Sequence, residues 1–173
     1  MSLFSDRYME NQYNVLFLCN ENSARSIIAE AVTTVLSHGR FTGYSAGAKP
    51  SGIVHPIALE MAKSKGYPVQ LLRSKSWDEF GREGAPRMDF IITLCDSAIA
   101  EECPYWPGHP STAHWGFPNP ATSNIGDDEK IRHAFTQVEL GLRNRIELLI
   151  DLPIESLNKL QIQDQLHRIH YHN

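Results

Sequence analysis

The sequence predicts an α/β fold of three layers, with a four-stranded, mostly parallel sheet and helices on both faces. Three observations predict it. Short continuous apolar runs, Val15 to Leu18 and Phe90 to Leu94, have the length and two-sided hydrophobicity of strands covered on both faces. The segments between them carry apolar residues at helical spacing. Glycine or proline then punctuates the changes of period, at Gly39, Pro56, Gly66 and Pro153. In such a fold, ligands bind beyond the carboxyl ends of the strands.

Residues 1 to 12 are polar and aperiodic and read as a flexible lead-in to a single domain spanning residues 13 to 173. The first strand starts at Tyr13, and Ile27, Ile28, Ala31, Val32, Val35 and Leu36 form the buried stripe of the first helix. FTGYSAG (41 to 47) reads as the second strand. Pro56 opens a helix bearing Ile57, Ala58, Met61 and Ala62, since proline suits a first helical turn. After the Phe90 strand, proline, glycine and tryptophan crowd residues 104 to 120, which predicts loops and one short strand around Thr112 to Trp115. Asp127 and Asp128 cap a long amphipathic helix from Ile131 to Leu149, and Leu157, Leu160, Leu166 and Ile169 mark a C-terminal helical extension from about residue 153.

Composition narrows the function. A net charge of −4, with both signs dispersed, provides no basic field for nucleic acid or an acidic membrane. No apolar run approaches the ~20 residues of a membrane span, and MSLFSDRYMENQ lacks a signal-peptide core, so a cytoplasmic protein is expected. Three cysteines in that compartment point to reactivity or burial instead of a disulfide framework.

Chemistry concentrates in LFLCNENSARS (16 to 26). Cys19 follows the strand directly, Arg25 comes six positions later, and a helix begins in the same loop. The amides of Asn20, Glu21, Asn22, Ser23, Ala24 and Arg25, with the helix N-terminus, form a cradle for an oxyanion, which the planar fork of Arg25 can grip. That field favours the nucleophilic thiolate of Cys19. Ser26 can donate its hydroxyl to the sulfur, and Asn22 tolerates the left-handed backbone such a loop needs. A lone cysteine at a strand end is more often a small buried hydrophobe. Cysteine, five residues, then Arg-Ser between a strand and a helix is a far more restrictive pattern.

With LCNENSARS, the segments TLCDSAIAEECP (93 to 104), HWGFPNPA (114 to 121), GYSAGAKPSGIVHP and RSKSWDEF resemble thiol-dependent arsenate reductases of the low-molecular-weight protein tyrosine phosphatase fold. The resemblance spans most of residues 14 to 151. It implies that Cys19 attacks arsenate, that the loop and Arg25 hold its oxygens, and that a second thiol resolves the thiol-arsenic adduct and releases arsenite. In the thioredoxin-coupled branch, cysteines at the positions of Cys95 and Cys103 carry out that relay. Their spacing here is one residue longer than the branch's usual pattern. Other members draw on glutathione with glutaredoxin, or on mycothiol. No bound cofactor is implied, only an external thiol-redox protein or small thiol and a small oxyanion substrate, arsenate or a phosphate ester.

Asn119 departs from the resembling families, where an aspartate before the proline of this segment is the general acid. An amide cannot protonate a leaving group, and such catalysis contributes about 10²–10⁴-fold. Loss of the acid should hurt phosphate-ester hydrolysis more than arsenate reduction. The alternatives are a tyrosine phosphatase on the same loop and a non-catalytic module that binds oxyanions or phosphoproteins. Cys95, Cys103, His109 and His114 could also be read as zinc ligands, but their spacing fits no compact finger and no metal is expected. His167, His170 and His172 read as exposed helix-end residues, and Trp77, Trp106 and Trp115 as core or pocket-wall aromatics.

Overall fold

A computed structural model of the chain describes residues 12–95, 106, 108–121 and 126–171. Residues 1–11 of the lead-in, Cys103 and His172 lie outside these. Four strands, β1 (Tyr13–Cys19), β2 (Phe41–Gly47), β3 (Phe90–Thr93) and β4 (Ser111–His114), form one sheet in the order β2-β1-β3-β4. All three pairings are parallel, so the mostly parallel sheet expected from the sequence is wholly parallel among the described strands. Among the described residues, four α-helices occupy the predicted segments: α1 (Arg25–Leu36), α2 (Pro56–Ser64), α3 (Asp128–Ile150) and α4 (Lys159–His170). In α4 the expected stripe is shortened to Leu166 and Ile169, because Leu157 precedes the helix and Leu160 on its first turn faces solvent. None of the four helices is long and apolar enough to cross a membrane.

The alternation of side chains along β1 separates two cores. Val15 and Phe17 face a large core with Ile27, Ile28 and Val32 of α1, Ala58 and Ala62 of α2, Leu142 and Ile146 of α3, and Leu166 of α4. Leu16 and Leu18 face a smaller one with Ala46, Met88, Ile91 and Trp106, closed by Tyr44, Trp77 and Phe80. The second covering layer is thus helical only as the short 3-10 turn Trp77–Phe80 among the described residues. Trp77 is partly exposed there, whereas Trp106 and Trp115 are buried.

Two features position the ligand-binding edge. The chain leaves β1 for β2 on one side and later returns to β3 on the other, so the topological switch lies at the carboxyl end of β1. In register, Leu18 pairs with Thr93, which sets Cys19 at the end of β1 and Cys95 just beyond the end of the neighbouring β3. Gly43 lets α1 settle onto β2, since a Cβ there would lie 2.5 Å from the Glu30 carbonyl oxygen. On the far side, α4 covers the edge strand: the Gln163 side chain accepts from Thr112 N at 3.1 Å and donates to its carbonyl, blunting an open edge.

Candidate active site

The loop from Cys19 to Ser26 is held from outside by its carbonyls. Ala48 N donates to Cys19 O (3.2 Å), Lys49 N to Asn20 O (2.8 Å), Ser51 N to Glu21 O (3.1 Å) and His55 N to Ser23 O (2.9 Å). The Ser74 hydroxyl adds a second bond to Glu21 O at 2.8 Å. Across a trans peptide the N–H points opposite to the C=O, so these ties turn the amides of Asn20, Glu21, Asn22 and Ala24 toward the interior of the loop. Asn22 has φ 49°, the left-handed step that folds successive amides into an anion-binding concavity. At the end of the loop, α1 begins with no side-chain cap and no acidic residue in its first turn. The other α-helices are capped, by His55, by Asp127 and by the Asn158–Gln161 capping box. The N-terminus of α1 therefore keeps its positive end for an anion.

Cys19 is buried at the base of the cradle, its Sγ 2.9 Å from Ser26 Oγ. Asn22 Nδ2 donates to the same Oγ at 2.8 Å, while Asn22 Oδ1 accepts from Lys75 N at 2.9 Å. When the sulfur is ionised, only Ser26 can donate in the pair, and Asn22 fixes the direction of that donation. Arg25, the first residue of α1, is buried and donates from Nη1 to the Phe117 carbonyl at 3.0 Å. This bond orients the guanidinium and leaves the rest of its fork for an oxyanion.

The structure brings Cys95 to the same place. The Cys19 and Cys95 side chains are free, buried and packed against each other, beside Ala48 and Trp77. Burial, and then the neighbouring Cys19 sulfur, push the Cys95 thiol up to about 11, against the opposing pull of Arg25. Cys95 is therefore protonated at neutral pH. Asn119 is half-buried two residues beyond Phe117, and its Oδ1 accepts from Ala121 N at 3.0 Å, closing an Asx turn. Asp127 caps α3 by accepting from Lys130 N, as its sequence position predicts.

Of the histidines, His114 Nδ1 lies 2.7 Å from Thr93 Oγ1, and His109 is exposed with φ 52°. His167 is exposed as expected, but His170 is half-buried, because its ring packs near His114 at 6.0 Å and against Tyr171 at 4.8 Å. Sequence reasoning missed two parts of the site. Lys75 closes the Asn22 strut and, buried, joins a network in which Glu30 accepts from Ser45 Oγ (2.6 Å) and Tyr67 Oη (2.5 Å) and lies 3.8 Å from Lys75 Nζ. Gly47 is the floor, where a Cβ would lie 2.5 Å from Asn20 O. The RSKS phrase was the available signal for Lys75.

A cysteine under an oxyanion cradle, on the strand-loop-helix corner of a parallel sheet, defines a class of α/β proteins with nucleophilic thiols. The chain belongs to the low molecular weight phosphotyrosine protein phosphatase family, which it matches over residues 14–159. It is similar to the arsenate reductase of Bacillus subtilis (strain 168), 32% identical over 139 residues, covering 80% of this chain and 95% of that protein. It is also similar to the arsenate reductase of Halalkalibacterium halodurans, 33% identical over 120 residues, covering 69% and 83%. Among solved structures, an arsenate reductase in the phosphate binding state superposes with a TM-score of 0.57 at 25% identity, covering 80% of this chain and 97% of that one.

Proposed function

We propose that the protein is an arsenate reductase. Cys19 attacks the arsenic of arsenate as a thiolate and water departs, leaving a Cys19–S–As(V) adduct held by the loop amides and Arg25. Cys95 then attacks the Cys19 sulfur. The S–S bond forms, the S–As bond breaks, and its electron pair leaves on arsenic as arsenite. Arsenate and two thiols thus become arsenite, a disulfide and water. Cys103 takes over the disulfide in the internal relay, and an external thiol, a thioredoxin-type protein or a small thiol such as glutathione or mycothiol, restores the dithiol. Ser26 holds the Cys19 thiolate, and the substrate is a small tetrahedral oxyanion.

The observation that carries this reading is the contact between the Cys19 and Cys95 side chains at the base of the cradle. Phosphate-ester hydrolysis uses one thiol, whereas reduction needs a second within reach of the first. An amide at position 119 argues in the same direction, since expulsion of an alkoxide needs an acid more than loss of water from arsenate does. The protonated state of Cys95 is also compatible. It keeps two adjacent sulfurs from both carrying charge in the resting enzyme, and the attack needs only transient loss of that proton.

The test is steady-state arsenate turnover with thioredoxin, glutaredoxin-glutathione and mycothiol systems, beside p-nitrophenyl phosphate hydrolysis. Arsenate turnover, abolished in Cys19→Ser, is expected. Peptide mapping after arsenate treatment without external thiol should find Cys19–Cys95 or Cys95–Cys103. Phosphatase activity with no arsenate turnover under any reductant would reject the proposal.

A further inference from the structure

The Phe117 carbonyl accepts a hydrogen bond from Arg25, so whatever fixes Phe117 fixes the grip on the oxyanion. Its surroundings make this a problem. Phe117 precedes Pro118, and Pro120 follows closely, so two positions of the segment have no N–H to extend the ladder beyond Phe117. Past β4, Trp115 N donates to Thr93 O (2.8 Å) and Phe117 N to Leu94 O (2.9 Å).

The ring of Phe117 adds a lateral anchor. One side meets α3 at Gly141, where a Cβ would stand 2.6 Å from Phe117 Cε1, so glycine makes the seat for the ring. The Arg145 guanidinium lies over the ring, 4.5 Å from its centroid. Arg145 is itself pinned. Nη1 donates to Gly141 O and Nη2 to His170 O, both at 3.3 Å, while the buried Nε has no hydrogen-bond partner among the described residues. His170 is the last residue of α4, so its carbonyl lies at the negative end of that helix, which suits a cation.

Helix α4 is in turn fastened to the sheet, by the Gln163 bonds to Thr112 and by Trp115 Nε1 donating to Leu166 O at 3.1 Å. All of α4 after Lys159 lies beyond the residues that match the family. A continuous set of contacts therefore runs from this added helix through Arg145 and Phe117 to Arg25.

We infer that Arg145, held by the C-terminal turn of α4, is a positioning residue for Arg25 and sets the strength of the oxyanion grip through the Phe117 carbonyl. The inference rests on the oxyanion reading of the cradle, not on arsenate as the substrate. Without the guanidinium, the ring loses the partner over its face and the 116–120 segment loses one lateral contact. The Phe117 carbonyl then no longer holds the Arg25 fork in one plane.

Protection of Cys19 by inorganic phosphate against iodoacetamide tests this without any reductase assay. In full-length Arg145→Met, the half-protecting phosphate concentration should rise about tenfold, between the sizes of an exposed and a desolvated cation–π contact, as suits a half-buried guanidinium. In an Arg25→Lys background, where the fork is already lost, Arg145→Met should change it by less than about twofold. If Arg145→Met does not fold, Phe117→Leu, which frees the carbonyl's anchor while keeping the backbone, should give the same pair of results. Undiminished protection in a folded Arg145→Met protein overturns the inference, as does an equal loss in both backgrounds, which would mark a diffuse structural effect. Absence of protection in the wild-type protein removes the cradle reading itself, and the inference with it.

Discussion

Gly47→Ala is the smallest change that should disable the cradle without touching a reacting group. Gly47 ends β2, pairs in register with Cys19, and donates from its N–H to Lys75 O at 2.9 Å. A Cβ on it would lie 2.5 Å from Asn20 O, 3.0 Å from Asn22 N and 3.1 Å from Asn22 Cβ. Two of these are backbone atoms, so no rotamer change relieves the crowding. To bring the closest contact to an ordinary 3.4 Å, the loop must move by 3.4 − 2.5, or about 0.9 Å. The shift falls on Asn20 and Asn22, whose amides line the concavity and whose side chain steers Ser26. A misplacement of about 1 Å costs roughly 10²-fold in rate when a reaction depends on near-attack geometry. Arsenate turnover in Gly47→Ala should therefore fall by about 10²-fold in kcat/KM. Overpacking of this kind costs about 1–3 kcal/mol, so the protein should still fold. Steady-state kinetics with a thermal melt of the same sample check both parts. A folded Gly47→Ala protein with wild-type kcat/KM would refute the assignment of these amides to the substrate site.

Four further outcomes follow from the same geometry. Asn22→Ala removes both ends of the strut from Lys75 to Ser26 and leaves alanine at φ 49°; a loss of about 2–3 kcal/mol in urea unfolding and slower alkylation of Cys19 are expected, and unchanged values would contradict the strut. Glu30→Ala leaves the buried Lys75 ammonium without its counter-charge, and urea unfolding should show a loss of about 3–5 kcal/mol; a change below about 1 kcal/mol would count against a charged Lys75. With its thiol pushed up to about 11, Cys95 is protonated below that pH, so its alkylation, followed by mass spectrometry, should be negligible near neutrality and rise about tenfold per pH unit on approach to that value. Alkylation of Cys95 as fast as that of Cys19 at about pH 7 would be inconsistent with the buried, sulfur-paired environment. Asn119→Asp can keep the Oδ1 bond to Ala121 N while adding a proton donor, so p-nitrophenyl phosphate hydrolysis should rise at least about tenfold, most at mildly acidic pH where the new carboxyl is protonated. A flat response over about pH 5 to 8 would separate position 119 from the leaving group.

What was legible in the sequence is what neighbours along the chain decide. The apolar run of β1, the stripe of α1 and the left-handed Asn22 depend on a few adjacent residues, and each is found where the pattern predicts it. The polar ties that make the loop a site join distant residues: Lys75 reaches Asn22 across 53 positions, and Phe117 reaches Arg25 across 92. No periodicity encodes such a pairing, because it follows from where whole elements settle. For the same reason the sequence could foresee a covered second face of the sheet but not that a 3-10 turn would form part of the cover. Cys95 lies between these cases. Its neighbours say only that it follows a buried strand. The parallel register of β1 and β3 then turns that local fact into proximity, because two parallel strands paired at Leu18 and Thr93 must deliver the residues after them to the same edge. An antiparallel β3 would have sent Cys95 to the opposite end of the sheet. The nearness of the two thiols is therefore a consequence of strand direction, and a second thiol can meet Cys19 without any local motif joining them.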